Sequence, residues 1–251
     1  MATYDVANRS AIVSGAGAGI GRAVAELLAA NGTAVLLVDR DQAAVEAVYQ
    51  EIISRGGTAA TYVADVTSPD WGTESVRLAE AMAPLGIAVN NAGISGPSAP
   101  LTEYTPEDWH RVIGINLDSL YTGMRAQIPA MAAHGGGAVV NLASILGTVG
   151  QAGASAYVTA KHGVVGMTKS AALENARTGV RVNAVAPGYV HTPMIQNITT
   201  PESYAALVAL HPMGRLATAE EIAQMIAFLA SDAAGFVTGS THLVDGGYSA
   251  R

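Results

Sequence analysis

Short β-rich runs alternate with longer stretches of helical periodicity along most of the chain, and this rhythm limits the fold more than any single residue does. Ser10 to Ser14 (SAIVS) reads as a buried strand, Ile20 to Ala30 as a helix, Thr33 to Val38 as a second strand and Gln42 to Ser54 as a second helix. Thr58 to Ala64 supplies a third strand and Asp70 to Ala83 another helix. A Pro84-Leu85-Gly86 turn then leads into the short strand Ile87 to Val89, with Asn90 and Asn91 at its end. A long helix begins near Pro106, and Ala138 to Ala143, Val180 to Ala186 and Thr241 to Val244 read as the remaining strands. Repeated strand–helix–strand units build a doubly wound parallel sheet, so the expected class is α/β. No linker, repeat or low-complexity tract divides the 251 residues, and the expectation is a single domain spanning 1–251. The one long irregular segment, Pro187 to about Pro201 followed by a short helix at Glu202 to Leu210, is expected to form a lid over a ligand, giving a lid region of 187–213.

Composition narrows the function. Half of the residues are hydrophobic and 13% are charged, which is ample for a buried core. A formal net charge of −7 argues against nucleic acid and anionic membrane surfaces, both of which need clustered Lys and Arg. No apolar stretch reaches the roughly 18 residues of a membrane span. The absence of cysteine removes disulfides, thiolate zinc sites and thiol nucleophiles together. The six histidines are scattered without paired metal spacing, so no metal is expected. Met1 to Ser10 lacks the basic start and apolar run of a secretory signal, and the expected compartment is the cytoplasm. A small-molecule partner is the reading that remains.

Gly15-Ala-Gly-Ala-Gly19-Ile20-Gly21 lies between the first strand and the first helix. There, glycines let the backbone approach a pyrophosphate, and a helix N-terminus offers unpaired N–H groups and a positive dipole. Asp39 closes the second strand about twenty residues later, where a carboxylate accepts hydrogen bonds from ribose hydroxyls. A 2′-phosphate about 4 Å away would meet repulsion of up to roughly 4 kcal/mol per charge pair at an effective dielectric of 20. The expected cofactor is therefore NAD rather than NADP, with Arg40 beside Asp39 at the same edge. Further along, Tyr157-Val-Thr-Ala-Lys161 opens a helix, and i, i+4 spacing puts phenol and ammonium on one face. A neighbouring cation stabilises phenolate, which lowers the tyrosine pKa and fits the pair for general acid–base work on a carbonyl or alcohol.

From Ala11 to Gly247 the chain resembles the classical short-chain dehydrogenase/reductase family, whose fold is a Rossmann-type sheet, and in particular its bacterial secondary-alcohol and polyol dehydrogenases. The ordered motifs are Gly15-x-x-x-Gly19-x-Gly21, Asp65-Val66, Asn90-Asn91-Ala92-Gly93, Asn116, Ser144, Tyr157-x-x-x-Lys161, Pro187-Gly188 with Thr192, and Val244-Asp245-Gly246-Gly247. The resemblance implies that Ser144 hydrogen-bonds the substrate oxygen and Tyr157 transfers its proton. It also implies that Lys161 binds the nicotinamide ribose and that Asn116 holds a water linking Lys161 to solvent. By the same resemblance Asp65 and Val66 flank the adenine, and Asn91, Ala92 and Gly93 line the middle of the cofactor. Pro187, Gly188, Val190 and Thr192 border its nicotinamide end. Three positions depart from the family pattern: Ser14 stands for the usual Thr and keeps the hydroxyl, Ala160 replaces a frequent Ser, and Leu85 to Val89 lacks the acidic residue that commonly precedes the fourth strand.

The presumed lid, Met194 to Met213, contains no Lys or Arg, which disfavours carboxylate and phosphate substrates. Ile145, Leu146, Tyr189, Ile195 and Leu207 are expected to form, with Ser144, the substrate wall. These features point to an NAD-dependent ketone reductase or secondary-alcohol dehydrogenase acting on a neutral, mainly apolar substrate. A polyol dehydrogenase, an NADP-dependent 3-oxoacyl reductase and a non-catalytic nucleotide-sensing scaffold on the same fold are the alternatives. The resemblance and the apolar Phe236 to Tyr248 segment also imply a homotetramer, with helices near Ser155–Leu173 and Glu220–Leu229 pairing across two-fold axes.

Overall fold

The structure, a computed structural model, describes residues 3–250. Its strands are β1 (Ser10–Ser14), β2 (Ala34–Asp39), β3 (Thr58–Val63), β4 (Leu85–Asn90), β5 (Gly137–Leu142), β6 (Val180–Pro187) and β7 (Thr241–Val244). They form one sheet in the order β3-β2-β1-β4-β5-β6-β7, and every pairing is parallel. The helices are α1 (Gly19–Ala30), α2 (Gln42–Ser54), α3 (Trp71–Glu80), α4 (Pro106–Ile113), α5 (Ser119–Ala133), α6 (Ser155–Asn175), α7 (Pro193–Gln196), α8 (Pro201–Ala209) and α9 (Ala219–Ala230).

Each central strand sends alternate residues to opposite sides, because side chains on a strand repeat every two residues. Val13, Val35 and Leu37 pack with Leu28 of α1, Val48 of α2 and Ile226 of α9. Ile12, Leu36 and Val38 pack on the other face with Ala79 of α3, Met131 of α5 and Ala171 of α6. Burial on both faces explains why these strands read as continuous apolar runs in the sequence. The chain winds outward from β1 to β3 and then returns to place β4 beside β1. That reversal opens a crevice at the carboxyl ends of β1 and β4, where ligands bind in sheets of this kind.

Two boundaries differ from the sequence reading. The residues taken for a Pro84-Leu85-Gly86 turn already belong to β4, since Leu85 pairs with Ser10 and Ile87 with Ala11. Gly86 is the extra residue of the resulting bulge, and a Cβ there would stand 2.8 Å from Arg9 Cδ, so the chain bulges where only glycine fits. The long helix from Pro106 is interrupted by a π turn at Gly114–Asp118. This irregularity is centred on Asn116, whose buried amide donates to the carbonyls of Ile94 (2.9 Å) and Val112 (3.0 Å) and accepts from the Ile94 N–H (3.0 Å). A third feature lies in the middle of the sheet, where Asn90 Nδ2 donates to Asn141 Oδ1 (3.0 Å), Gln127 Nε2 donates to Asn90 Oδ1 (3.0 Å) and Asn141 Nδ2 donates to Thr168 Oγ1 (3.0 Å). This ladder satisfies four buried polar side chains and ties β4 and β5 to α5 and α6.

Candidate active site

β1 ends at Ser14, and the chain enters the glycine loop through Gly15 at φ +66°, a conformation that favours glycine. The Ser14 hydroxyl accepts from the N–H groups of Asn91 (3.0 Å) and Ala92 (3.1 Å), so the hydroxyl retained at this position clasps the loops after β1 and β4. Asn91 Nδ2 completes the clasp by donating to the Ser14 carbonyl at 2.9 Å. Gly21 lies directly under the loop: a Cβ there would stand 2.1 Å from the Gly15 carbonyl oxygen, so its role is close packing of helix against loop and it does not reach the cavity.

A cavity of about 260 Å³ opens above this turn, with Gly15, Gly19 and Ile20 on one side. Asp39, Arg40, Asp65 and Val66 form a second side, and Asn91, Ala92, Gly93 and Thr192 a third. Ala18, the residue preceding α1, gives no side-chain cap, so the first N–H groups of the helix are left for a ligand. These uncapped donors, the positive end of the helix and the glycine cradle fit the pyrophosphate of a dinucleotide. Asp39 is held rigidly at the far side, its two carboxylate oxygens accepting from the N–H groups of Gly17 (2.9 Å) and Asp41 (3.0 Å). Asp65 accepts from both the backbone and the hydroxyl of Thr67, and these bonds hold its carboxyl below the usual range.

The second cavity, about 210 Å³, continues from the first and shares Ile20, Asn91, Gly93, Thr192 and Met194 with it. Ser144 (after β5), Tyr157 and Lys161 (on α6) and Asn116 line it together, although they come from three separate parts of the chain. Pro187, Gly188, Tyr189 and Val190 follow β6 along another wall, and Ile145, Leu146 and Ile195 add apolar surface. The Ser144 side chain hydrogen-bonds to the Tyr157 phenol and accepts from the Leu146 N–H at 3.1 Å. Lys161 is buried, with Nζ donating to the Leu142 carbonyl at 2.6 Å and lying 5.6 Å from the Tyr157 ring centroid.

The electrostatics differ from the expectation that Lys161 depresses the Tyr157 pKa. Burial pushes the phenol up, with the Ser144 bond pulling the other way, and burial lowers the Lys161 ammonium to about 8. The physical reason is that taking either group out of water disfavours its charged form, while the ammonium is directed at the Leu142 carbonyl. The phenol therefore rests as an acid held against a serine hydroxyl.

Of the expected substrate wall, only Leu207 is not brought to the cavity. It lies on α8 with its carbonyl accepting from His211. The Asn116 side chain is held by the backbone of Ile94 and Val112, and Asn116 lines the second cavity together with Lys161. Residues that the sequence did not single out also line the second cavity, Ser95, Gln151 and Ala154, beside Met194 and Ile198 of the presumed lid. All but Ala154, which immediately precedes α6, lie in loops or the lid, where no periodicity marks a buried face.

A family model described as Enoyl-(Acyl carrier protein) reductase matches residues 15–249. Cyclohexanol dehydrogenase of Acinetobacter sp. (strain SE19) is 45% identical over 245 residues, covering 97% of this chain and 96% of that protein. Cis-4-hydroxycyclohexanecarboxylate dehydrogenase of Sinomonas cyclohexanicum is also 45% identical, over 97% of this chain and 98% of its own. Among solved structures, one provisionally named an NAD(P)-dependent gluconate 5-dehydrogenase from Beutenbergia cavernae, with NADP bound at low occupancy, superposes with a TM-score of 0.94 at 39% identity, each chain fully covered. With the seven-stranded sheet, the glycine cradle and the Ser144–Tyr157–Lys161 cluster, these matches show that the chain belongs to the short-chain dehydrogenase/reductase family of oxidoreductases.

Proposed function

We propose that the protein is an NAD-dependent dehydrogenase that interconverts a neutral, mainly apolar secondary alcohol, best represented by a six-membered carbocyclic alcohol, and its ketone. The observation that carries this reading is the second cavity: Ser144 and Tyr157 stand in a pocket to which Ile145, Leu146, Ile195 and Ile198 contribute apolar wall, and Lys161 is the one charged side chain among the described residues that line it. With no Arg in its lining and Lys161 as its one cation, the pocket offers an anionic substrate little charge pairing. The relative named for cyclohexanol supports the same class, and the second relative is named for a cyclohexane-ring alcohol that also bears a carboxylate.

Nicotinamide dinucleotide, held along the glycine loop, would supply the hydride acceptor. In alcohol oxidation Tyr157 takes the hydroxyl proton, and in ketone reduction it gives that proton back. Ser144 donates to the same oxygen, where negative charge develops as the C–H bond breaks or forms. Lys161 would hold the nicotinamide ribose and Thr192 the carboxamide, with the segment 187–213 covering the substrate. The fixed carboxylate of Asp39 supports NAD over NADP, because its position at the end of β2 suits a ribose hydroxyl and repels a 2′-phosphate.

The test is turnover, read by nicotinamide absorbance, with cyclohexanol, a linear secondary alcohol, a hexitol and a 3-oxoacyl thioester, each with NAD and with NADP. The reading expects the highest kcat/KM for cyclohexanol with NAD. A preference for the hexitol or for the thioester with NADP would replace it. Replacing Asp39 with Ala removes both the hydrogen bonds and the repulsion, each of roughly 1.5 to 3 kcal/mol, so the NAD/NADP preference should fall by at least about 10²-fold. A homotetramer goes with this reading, supported by full exposure of Phe236 and exposure of Leu173 and Leu243. Light scattering that shows a monomer at micromolar concentration would contradict it.

A further inference from the structure

His211 follows the lid helix α8 and is buried, at 4% exposure. Its Nδ1 lies 2.8 Å from the Leu207 carbonyl, which can only accept, so Nδ1 carries the hydrogen. Its Nε2 lies 3.2 Å from the backbone N–H of Tyr189, which can only donate, so Nε2 is the acceptor. The two partners fix one neutral tautomer. Gly188 makes this reach possible, since a Cβ there would stand 2.8 Å from Nε2. The Asp245 carboxylate beside the ring is occupied by the N–H groups of Gly247 and Ser249 and by the Ser249 hydroxyl, and Glu221, which lines the same small cavity, is paired with Arg215. Tyr189 meets the ring edge-on and Tyr248 at a tilt, with centroids 5.9 and 5.6 Å away.

The bond from His211 crosses from the lid to the substrate wall. Tyr189 lines the second cavity, and its hydroxyl donates to Gln151 Oε1 at 2.7 Å. Gln151 lines the same cavity, six residues before Tyr157. Leu207, His211, Tyr189 and Gln151 thus form one continuous chain from α8, past the end of β6, to the loop leading into α6. We propose that His211 is a positioning residue for substrate binding: its imidazole fixes Tyr189, and through Tyr189 the Gln151 side of the pocket, without touching substrate or cofactor. This inference rests on the reading of the second cavity as the substrate site. A histidine that merely capped α8 would need the Leu207 bond alone, whereas the bond to Tyr189 spans 22 residues of sequence.

Two substitutions separate the bonds. In His211→Gln the side-chain carbonyl reaches the place of Nε2 and can still accept from Tyr189, whereas in His211→Asn the shorter amide replaces only Nδ1. With cyclohexanol as substrate, H211N should raise KM about 10-fold, the effect of one lost hydrogen bond, with kcat within about 3-fold of the parent, and H211Q should restore KM. Hydrogen exchange supplies a readout independent of turnover: the Tyr189 amide should be protected in the parent and in H211Q, and exchange faster in H211N. Equal KM in the parent and H211N, a loss confined to kcat, or unchanged Tyr189 protection in H211N would overturn the proposal. Should H211N fail to fold, fast Tyr189 exchange in a folded H211Q overturns it and retained protection supports it. If the parent does not turn over cyclohexanol, the substrate reading fails, and the exchange arm still decides the clasp.

Discussion

Lys161 is buried in the cavity wall, and its position carries a thermodynamic signature that a Lys161→Met substitution exposes. Burial lowers its pKa from 10.5 to about 8. A lysine whose folded pKa is depressed destabilises the protein while the unfolded chain holds the proton, so the penalty is complete below the folded value and fades as pH rises toward the unfolded one. With these two values the penalty is about 3 kcal/mol at pH 7, about 2 at pH 9 and under about 1 at pH 10. Met keeps most of the side-chain volume and has no proton to bind. It leaves the Leu142 carbonyl without its partner at 2.6 Å, which takes back about 1 to 3 kcal/mol at every pH. The stability difference between Lys161→Met and the parent should therefore move against the variant by about 1.3 kcal/mol between pH 7 and pH 9, whatever its absolute sign. Urea unfolding at the two pH values measures it, and the same variant should lose both turnover and cofactor affinity. A difference that stays flat across this range would refute the burial argument and with it the assignment of Lys161 as a desolvated ammonium.

Other substitutions test separate parts of the site. Gly21→Ala drives a Cβ to within 2.1 Å of the Gly15 carbonyl oxygen, a backbone atom that cannot step aside; cofactor affinity should fall at least about 10-fold and stability by about 1 to 3 kcal/mol, checked by calorimetry. Ser144→Ala removes the hydroxyl bonded to Tyr157 and should lower kcat about 10²-fold with cofactor affinity unchanged in fluorescence titration. Asn141→Leu breaks the ladder in the middle of the sheet, leaving Thr168 without its Asn141 donor and Asn90 with Gln127 alone, at a cost of about 2 kcal/mol in urea unfolding. Burial and the Ser144 bond pull the Tyr157 phenol in opposite directions and burial prevails, so alcohol oxidation, which needs the phenolate, should accelerate with rising pH while ketone reduction, which needs the phenol, slows.

The α/β architecture was legible because β1, β2, β5 and β6 are buried on both faces and so leave short, mainly apolar runs in the sequence, broken only by residues such as Asn141, Arg181 and Asn183. β4 was misjudged at its start because Gly86 looks like a turn residue, and only the register shift against Ser10 and Ala11 shows that it is a bulge. The π turn at Asn116 breaks a helix whose periodicity continues through it, so no composition signal marks it. Spacing was enough to bring Tyr157 and Lys161 to one cavity, since i, i+4 geometry is local. The sign of their electrostatics was not, because it depends on burial and on the Leu142 carbonyl, 19 residues away in sequence. Gln151 and His211 were invisible for the same reason: each acts through a partner in a distant loop.

The central claim is that Tyr157 moves the proton while NAD stays bound in the glycine-loop cleft. Rapid mixing of the NAD-saturated protein with cyclohexanol, followed by nicotinamide absorbance, tests it directly when the parent is compared with Tyr157→Phe. The parent should reduce NAD in a single turnover, and the Phe variant should do so at least about 10²-fold more slowly with the NAD dissociation constant within about 2-fold. Equal rates in the two proteins would contradict the account.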